Sequence, residues 1–507
     1  MTDQHRPDHT GFGGNAVVQT PHLDALAARA TRFDRCFVSN PICMPNRSTI
    51  LTGRMPSVHG TRFNGIPLEW GVATFVRALR EAGYRTGLVG KAHFQNMGDM
   101  ADLPVDALFP VPGDAFDRPY PAGWDRLEDG HRHRREKVEL PDDFYGFGEV
   151  SLTVNHSDIC SGHYHHWLVE RGVDPARVQG PDNALRKFDG WWQVYQTALP
   201  EDLYPSRYIA ERTGDFLDGV ADDGRPFFLQ CSFPDPHHPF TPPGRYYDLY
   251  DPAAMTLPPS FDDPHEHSLP FYRKRLGFKG SQRVHVQPFA PTADQLRHAL
   301  AAEYGMITLI DDCIGRIFES LERNGLADDT IVVFTSDHGD MFGDHGMMLK
   351  AGMHYEGCTR VPLLVARPGQ AGRVTTSLAS SIDLPHTLLE LAGVAEYHGM
   401  QGHSLVPVLD GKTDAVRSEV LIEEDEIFDL AGVGRPLRMR TLITEDARLT
   451  LYSGSEQGEL FDLRHDPLEL ENRYDRGLPE LQHELTDRLA RRLMETDDRA
   501  PKPQTLA

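Results

Sequence analysis

Cys43 and Arg47 stand four residues apart in Cys43-Met44-Pro45-Asn46-Arg47, and the residues around them read as the start of a helix. Asn40-Pro41 marks a turn, Pro45 suits a first helical turn, and the short stretch Ser48 to Thr52 is closed by Gly53. Backbone N–H groups at a helix start have no intrahelical partner and favour an anion. Arg47, one turn further along, adds a planar fork of donors suited to a tetrahedral oxyanion. Residue 43 therefore sits at a helix entrance suited to an anion. The opposing reading is an inert thiol with Arg47 in a salt bridge, because a lone free cysteine usually behaves as a small buried hydrophobe.

The unbroken run from Cys43 to Arg54 weighs against that reading. It resembles the signature of the type I, formylglycine-dependent sulfatases of the alkaline phosphatase superfamily. The resemblance implies that a formylglycine-generating enzyme reads Cys-x-Pro-x-Arg on the unfolded chain and oxidises Cys43 to formylglycine, whose hydrated aldehyde is the nucleophile. It further implies one divalent metal held by Asp3, Gln4, Asp337, His338 and an oxygen of residue 43. Two carboxylates and a carbonyl oxygen favour calcium, while the imidazole of His338 leaves manganese or another transition metal open.

Three further segments carry the resemblance. Gly90-Lys91-Ala92-His93 matches the family's Gly-Lys-x-His element, and Ser232 to Phe240 matches a second, with His237 catalytic and His238 structural. Lys350, with Tyr355-Glu356 and Arg360-Val361-Pro362, matches a third. The implied reaction is in-line attack on sulfur with the arriving charge shared among metal, Arg47, Lys91 and Lys350. His237 then protonates the departing oxygen and His93 is the base that releases sulfate. The expected function is hydrolysis of a sulfate monoester of a small or carbohydrate-like alcohol. Gln4 with His338 also occurs in relatives that hydrolyse phosphonate monoesters, so a phosphonate monoester or phosphodiester hydrolase is the alternative. A silent binding protein with unmodified Cys43 is the third reading.

The elements that must position these groups can be read from periodicity. Thr20-Pro21 opens a capped amphipathic helix, Arg32 to Val38 reads as the strand delivering Cys43, and Thr74 caps a helix through Ala82. Arg85 to Gly90, Pro226 to Phe233 and Thr330 to Ser336 read as strands, and a long helix runs from Thr292 to Gly325. Near-continuous apolar strands alternating with helices predict an α/β fold: a large, mainly parallel sheet covered by helices on both faces. Cys43, Lys91, His93, His237, Asp337 and His338 each follow a predicted strand, the end at which such sheets carry their sites. The spacing predicts a catalytic domain over 1–410 and a smaller C-terminal α+β subdomain over 411–507, with an antiparallel sheet and a helix bearing Leu481, Leu485 and Leu489. Residues 110–150 and 241–291 are Pro-rich and loop-like.

Composition sets outer bounds. A chain of 507 residues exceeds one simple core. A formal charge of −24 opposes nucleic-acid binding and would repel an anionic substrate at long range, so the site must build its own positive potential. No apolar run approaches the roughly 20 residues of a membrane span, and the polar opening Met1 to Arg6 lacks a secretory segment, which predicts a cytoplasmic protein without membrane attachment. Cysteines 36, 43, 160, 231, 313 and 358 are scattered as reduced thiols would be. Oligomerisation is left open. Gly411-Lys412-Thr413 has Val406 where a phosphate loop needs its first glycine, and His163, His165 and His166 lack a partner cluster for a metal. Sulfatases begin with a short apolar strand before the first metal-pair Asp, whereas Asp3 lies near the start. A central strand is therefore expected to be missing, Met1 to be internal to a longer chain, and the neighbouring strands to expose backbone groups.

Overall fold

Of the two caps expected from the sequence, that of Thr74 is made and that of Thr20 is not, because the Thr20 hydroxyl accepts from the Gly11 N–H and donates to Asp24 instead of capping Pro21–Ala27. Thr74 accepts from the Arg77 N–H and Thr292 forms a capping box with Gln295, starting helices at Phe75 and Ala293. Gly53 ends the helix begun at Cys43 with φ 62, a left-handed conformation that a residue without Cβ adopts freely. The computed structural model describes residues 1–98, 119–281, 290–427, 429, 434–498 and 502. Parts of both Pro-rich stretches lie outside the described residues.

In chain order, the elements that frame the site are α1 (Pro21–Ala27), β1 (Thr31–Phe37), α2 (Cys43–Thr52), α3 (Phe75–Glu81), β2 (Arg85–Lys91), β3 (Glu149–Val154), α4 (Pro205–Asp223) and β4 (Phe227–Ser232). They continue with α5 (Pro270–Leu276), α6 (Ala293–Arg323), β5 (Val332–Thr335), β6 (Leu363–Ala366), β7 (Arg373–Ser380) and α7 (Asp383–Leu391). The last are β8 (Glu419–Asp425), β9 (Arg438–Thr444), β10 (Ala447–Tyr452), β11 (Gly458–Asp462) and α8 (Pro479–Thr496).

β2 pairs in parallel with β3 and β4. β1 is parallel to β7 and antiparallel to β6, which is antiparallel to β5. The sheet is thus mixed at β6. The chain leaving β5 stays at that strand's carboxyl end through residues 336–362 instead of crossing back, so β6 departs from that end and runs the other way. Successive β6 residues face opposite layers: Leu364 packs with Tyr208, Ile209, Leu309 and Ile310 of α4 and α6, whereas Leu363 and Val365 pack with Ile50 of α2 and Leu384 of α7.

The two halves of the sheet meet through Met1 and Thr2. The Phe233 N–H donates to Met1 O (2.9 Å), and the Thr2 N–H donates to Thr335 O (3.0 Å). Thr2 forms a parallel bridge with Ser336. Behind this bridge, between β4 and β5, lies a cavity of about 1030 Å³ whose lining includes Phe227, Leu229, Ile317, Leu321, Val332 and Val333.

The second sheet has the order β8-β9-β10-β11, all antiparallel. Leu485 and Leu489 of α8 pack on its Leu421, Leu442, Leu449 and Leu460. β11 falls where turn-forming residues dominate the sequence. Edge strand β8 is tied to the large sheet's loops, its Glu423 N–H donating to Ser39 O (2.9 Å) and its Glu423 carbonyl accepting from Asn40 Nδ2 (2.6 Å).

Candidate active site

Cys43 is the first residue of α2 and is buried. Its Sγ lies 3.1 Å from His338 Nε2 and 3.9 Å from Asp3 Oδ1. Burial pushes its thiol up to about 11 despite the nearby Lys350, so at neutral pH the unmodified side chain is a thiol, a weak nucleophile.

Arg47 is wholly enclosed, and each of its guanidinium nitrogens has a protein partner. Nε donates to Asp337 Oδ2 (2.6 Å), Nη2 to Asp3 Oδ2 (3.0 Å), and Nη1 to both Lys91 O and Ser232 Oγ (3.0 Å each). This fork therefore holds the two aspartates that the sequence separates by most of the chain. Burial raises the Asp3 carboxyl, but Lys91 and Arg47 outweigh it and hold Asp3 well below the usual carboxylate range.

The ligand set fits a metal ion. His338 Nδ1 donates to Gly339 O (2.8 Å), which leaves the Nε2 lone pair directed inward. Asp3 Oδ1 and Asp337 Oδ1 each lie 3.6 Å from that nitrogen. Asp3, Cys43, Asp337 and His338 bring one ligand atom each to within 4.8 Å of one another. Gln4 adds an oxygen nearby: its Nε2 donates to Asp340 Oδ2 (2.7 Å), and its Oε1 receives Lys350 Nζ (2.6 Å).

Asp3, Cys43, His156 and His237 form a second converging group, but two lysines stand against its imidazoles. Lys91 Nζ lies 2.5 Å from His156 Nε2 and from Asp3 Oδ2, and Lys350 Nζ lies 2.8 Å from His237 Nε2. The rings of His156 and His237 stack with centroids 3.6 Å apart. A pocket lined by ammonium groups suits an anion better than a second cation. The positive potential demanded by the net charge is concentrated here.

His237 Nδ1 donates to His238 O (2.5 Å), so Nε2 accepts from Lys350. Burial, with His156 and Lys350 nearby, holds this imidazole well below 6.5. His93 is held low by burial and Lys91, and its buried Nδ1 has no hydrogen-bond partner among the described residues. Its backbone, at φ 56, is fixed by Glu128, whose carboxylate accepts from the N–H groups of His93, Phe94 and Gln95.

All the residues expected from the sequence thus meet at the carboxyl ends of β2, β4 and β5 and the start of α2. His156 and Glu128 were not foreseen. His156 follows β3 in a turn with Asn155 at φ 76 and Ser157 at φ 52, so the rule that strand ends carry the site would have found it had β3 been recognised. His163 and His166 are used structurally, with Nε2 atoms on Val138 O and Glu136 O.

Residues 1–394 match the sulfatase family, and residues 343–497 match the C-terminal region of N-sulphoglucosamine sulphohydrolase. The chain belongs to the sulfatase family. This sulfatase is 28% identical to an arylsulfatase of Clostridium perfringens over 93% of its length and 88% of that protein's. It is 28% identical to a choline-sulfatase of Rhizobium meliloti, over 93% of this chain and 81% of that one. Among solved structures it is similar to a phosphonate monoester hydrolase of Silicibacter pomeroyi, with a TM-score of 0.77, 25% identity and coverage of 98% of this chain and 95% of that one. The sulfatase is a hydrolase of sulfuric esters. No helix among the described residues is long and apolar enough to cross a membrane.

Proposed function

We propose that this sulfatase cleaves the sulfate monoester of a small or carbohydrate-like alcohol, using a formylglycine made from Cys43. The observation that carries the reading is the position of Cys43 at the start of α2, 3.1 Å from His338 Nε2, with Arg47 binding both Asp3 and Asp337. Asp3, Gln4, Asp337 and His338 would hold one divalent ion beside residue 43. The three carboxylate and amide side chains favour calcium, and the imidazole admits manganese. Bound there, the ion and the hydrated aldehyde would supply charge neutralisation and an oxygen nucleophile that the buried thiol cannot.

The remaining steps belong to the chain's own side chains. Lys91 and Lys350, set against His156 and His237, would bind the equatorial sulfate oxygens. Arg47 keeps Asp3 and Asp337 in place and adds positive charge behind them. His237 would protonate the departing alkoxide through Nε2 after taking that proton from Lys350 Nζ, 2.8 Å away, which leaves Lys350 as the amine. His93, a neutral imidazole with an unengaged Nδ1, is suited to remove the proton whose loss releases sulfate. A formylglycine-generating enzyme is the partner required for maturation, and cytoplasmic residence and division at 410/411 are retained as parts of the proposal. Oligomerisation is left open.

The alternative, a phosphonate monoester or phosphodiester hydrolase with the same site, is favoured by Gln4 with His338 and by the solved phosphonate monoester hydrolases. The test compares rates on aryl sulfate, aryl phosphonate monoester and aryl phosphodiester, with formylglycine at residue 43 verified by peptide mass. A clear preference for sulfate is expected. Preference for the phosphorus esters would replace the reading with its alternative.

A further inference from the structure

Lys350 sits on a loop whose backbone is held in an unfavourable conformation. Leu349 (φ 68) and Ala351 (φ 79) flank it in the left-handed region and Gly352 (φ 70) follows. Non-glycine residues pay of order 1–3 kcal/mol each for such conformations and keep them only where their surroundings over-determine them. The clamps are visible. Asp340 Oδ1 accepts from the Leu349 N–H (2.9 Å), Arg275 Nη1 donates to Ala351 O (3.3 Å), and Tyr272 Oη donates to Gly352 O (3.4 Å).

The shortest contact to the far side of the loop comes from the other sheet. Glu424 Oε1, on edge strand β8, accepts from the Gly352 N–H at 2.8 Å, and both groups are buried. Its Oε2 is oriented in turn by His354 Nε2 (3.1 Å), whose Nδ1 bonds Thr441 Oγ1 (2.7 Å) on β9. The left-handed backbone at Gly352 favours glycine, and an added Cβ would lie 2.8 Å from Arg275 Nη2 and Glu426 Oε1, so another residue there would strain the loop and displace both side chains.

We propose that Glu424 is a positioning residue for Lys350: the C-terminal sheet, through this carboxylate, holds the lysine loop so that Nζ meets the substrate anion beside His237. The inference rests on the catalytic placement of Lys350 given above. It predicts that removing Glu424 and removing Lys350 damage the same interaction. Glu424→Ala should lower kcat/KM on the preferred ester by ~10²-fold, the scale expected of a catalytic group displaced by about 1 Å. The loss should fall in kcat, with KM changed less than about threefold. Glu424→Gln, whose amide oxygen still accepts from Gly352, should recover most of it. The double variant Glu424→Ala/Lys350→Ala should be no slower than Lys350→Ala alone, within about threefold.

Multiplied losses in the double variant, or full activity of Glu424→Ala, would overturn the proposal. Should Glu424→Ala fail to fold, Glu424→Asp decides it. With the carboxylate withdrawn by one methylene, at least a tenfold drop in kcat is expected with little change in Tm, and an unchanged kcat would overturn the proposal. Lys350→Ala without effect would instead remove the catalytic assignment of Lys350, and this inference with it.

Discussion

At the scale of the residue, Arg47 decides how the site is built. Asp3 and Asp337 are buried carboxylates on separate segments, and this single guanidinium reaches both, with Asp337 Oδ2 at 2.6 Å and Asp3 Oδ2 at 3.0 Å. Lys91 supports Asp3 at 2.5 Å, whereas the other ion-pair partner of Asp337 among the described residues is His338 at 3.6 Å, an imidazole that burial lowers to about 4 and so leaves neutral at pH 7. Arg47→Ala should therefore destabilise the protein by ~3–5 kcal/mol, the cost of leaving a buried charge unpaired. It should also lower bound metal per chain, read by denaturant unfolding and elemental analysis. Arg47→Lys should fall between, since one ammonium cannot span two carboxylates, a carbonyl and a hydroxyl. Unaltered stability in Arg47→Ala would mean that another group carries these charges. The position of Arg47 was legible in the sequence, but its saturation by protein partners was not, because Asp3, Asp337, Lys91 and Ser232 are brought to it only by the sheet.

At the scale of the element, β8 and its continuation hold acidic side chains against the large domain's loops. Glu426, just beyond β8, is buried, and its carboxyl is pushed up to about 8 by burial and then by Glu424. The ordinary value, which the unfolded chain keeps, is 4.5. The folded state thus retains a proton that the unfolded state releases between these values. Its contribution to stability is complete below about pH 4.5 and is lost as pH rises through 8. Glu426→Gln, which keeps the neutral form at all pH, should flatten the decline of Tm between pH 5 and 8. An identical slope in both proteins would show that Glu426 is not the titrating group. Acidic residues in succession read as a solvated face in sequence, and nothing local reveals that they are enclosed against Arg275 and Gly352.

At the scale of the whole molecule, the site is a seam between segments that fold far apart in sequence. Asp3, Cys43, Asp337 and His338 share one cluster, so an ion bound there links the first strand pairing, α2 and the end of β5. Binding only to the native state stabilises it by ~2.7 kcal/mol at a hundred times Kd. Chelation should lower Tm, and re-addition of calcium or manganese should restore it, the more effective ion identifying the fit. An unchanged Tm after verified metal removal would count against a native-state site. The sequence by itself determined the family-bearing segments, the cap at Thr74, the long helix from near Thr292 and the helix beginning at Cys43, because these depend on contiguous residues and their periodicity. It also brought forward Cys43, Lys91, His93, His237, Asp337 and His338 as candidates, since each follows a predicted strand. Tertiary structure alone decided that β6 runs antiparallel, that His156 stacks on His237, that Arg47 serves two carboxylates, and that Glu424 reaches the lysine loop. Those facts depend on which distant strands become neighbours, a consequence of packing two layers of helices and a second sheet around one core, and no local pattern encodes it.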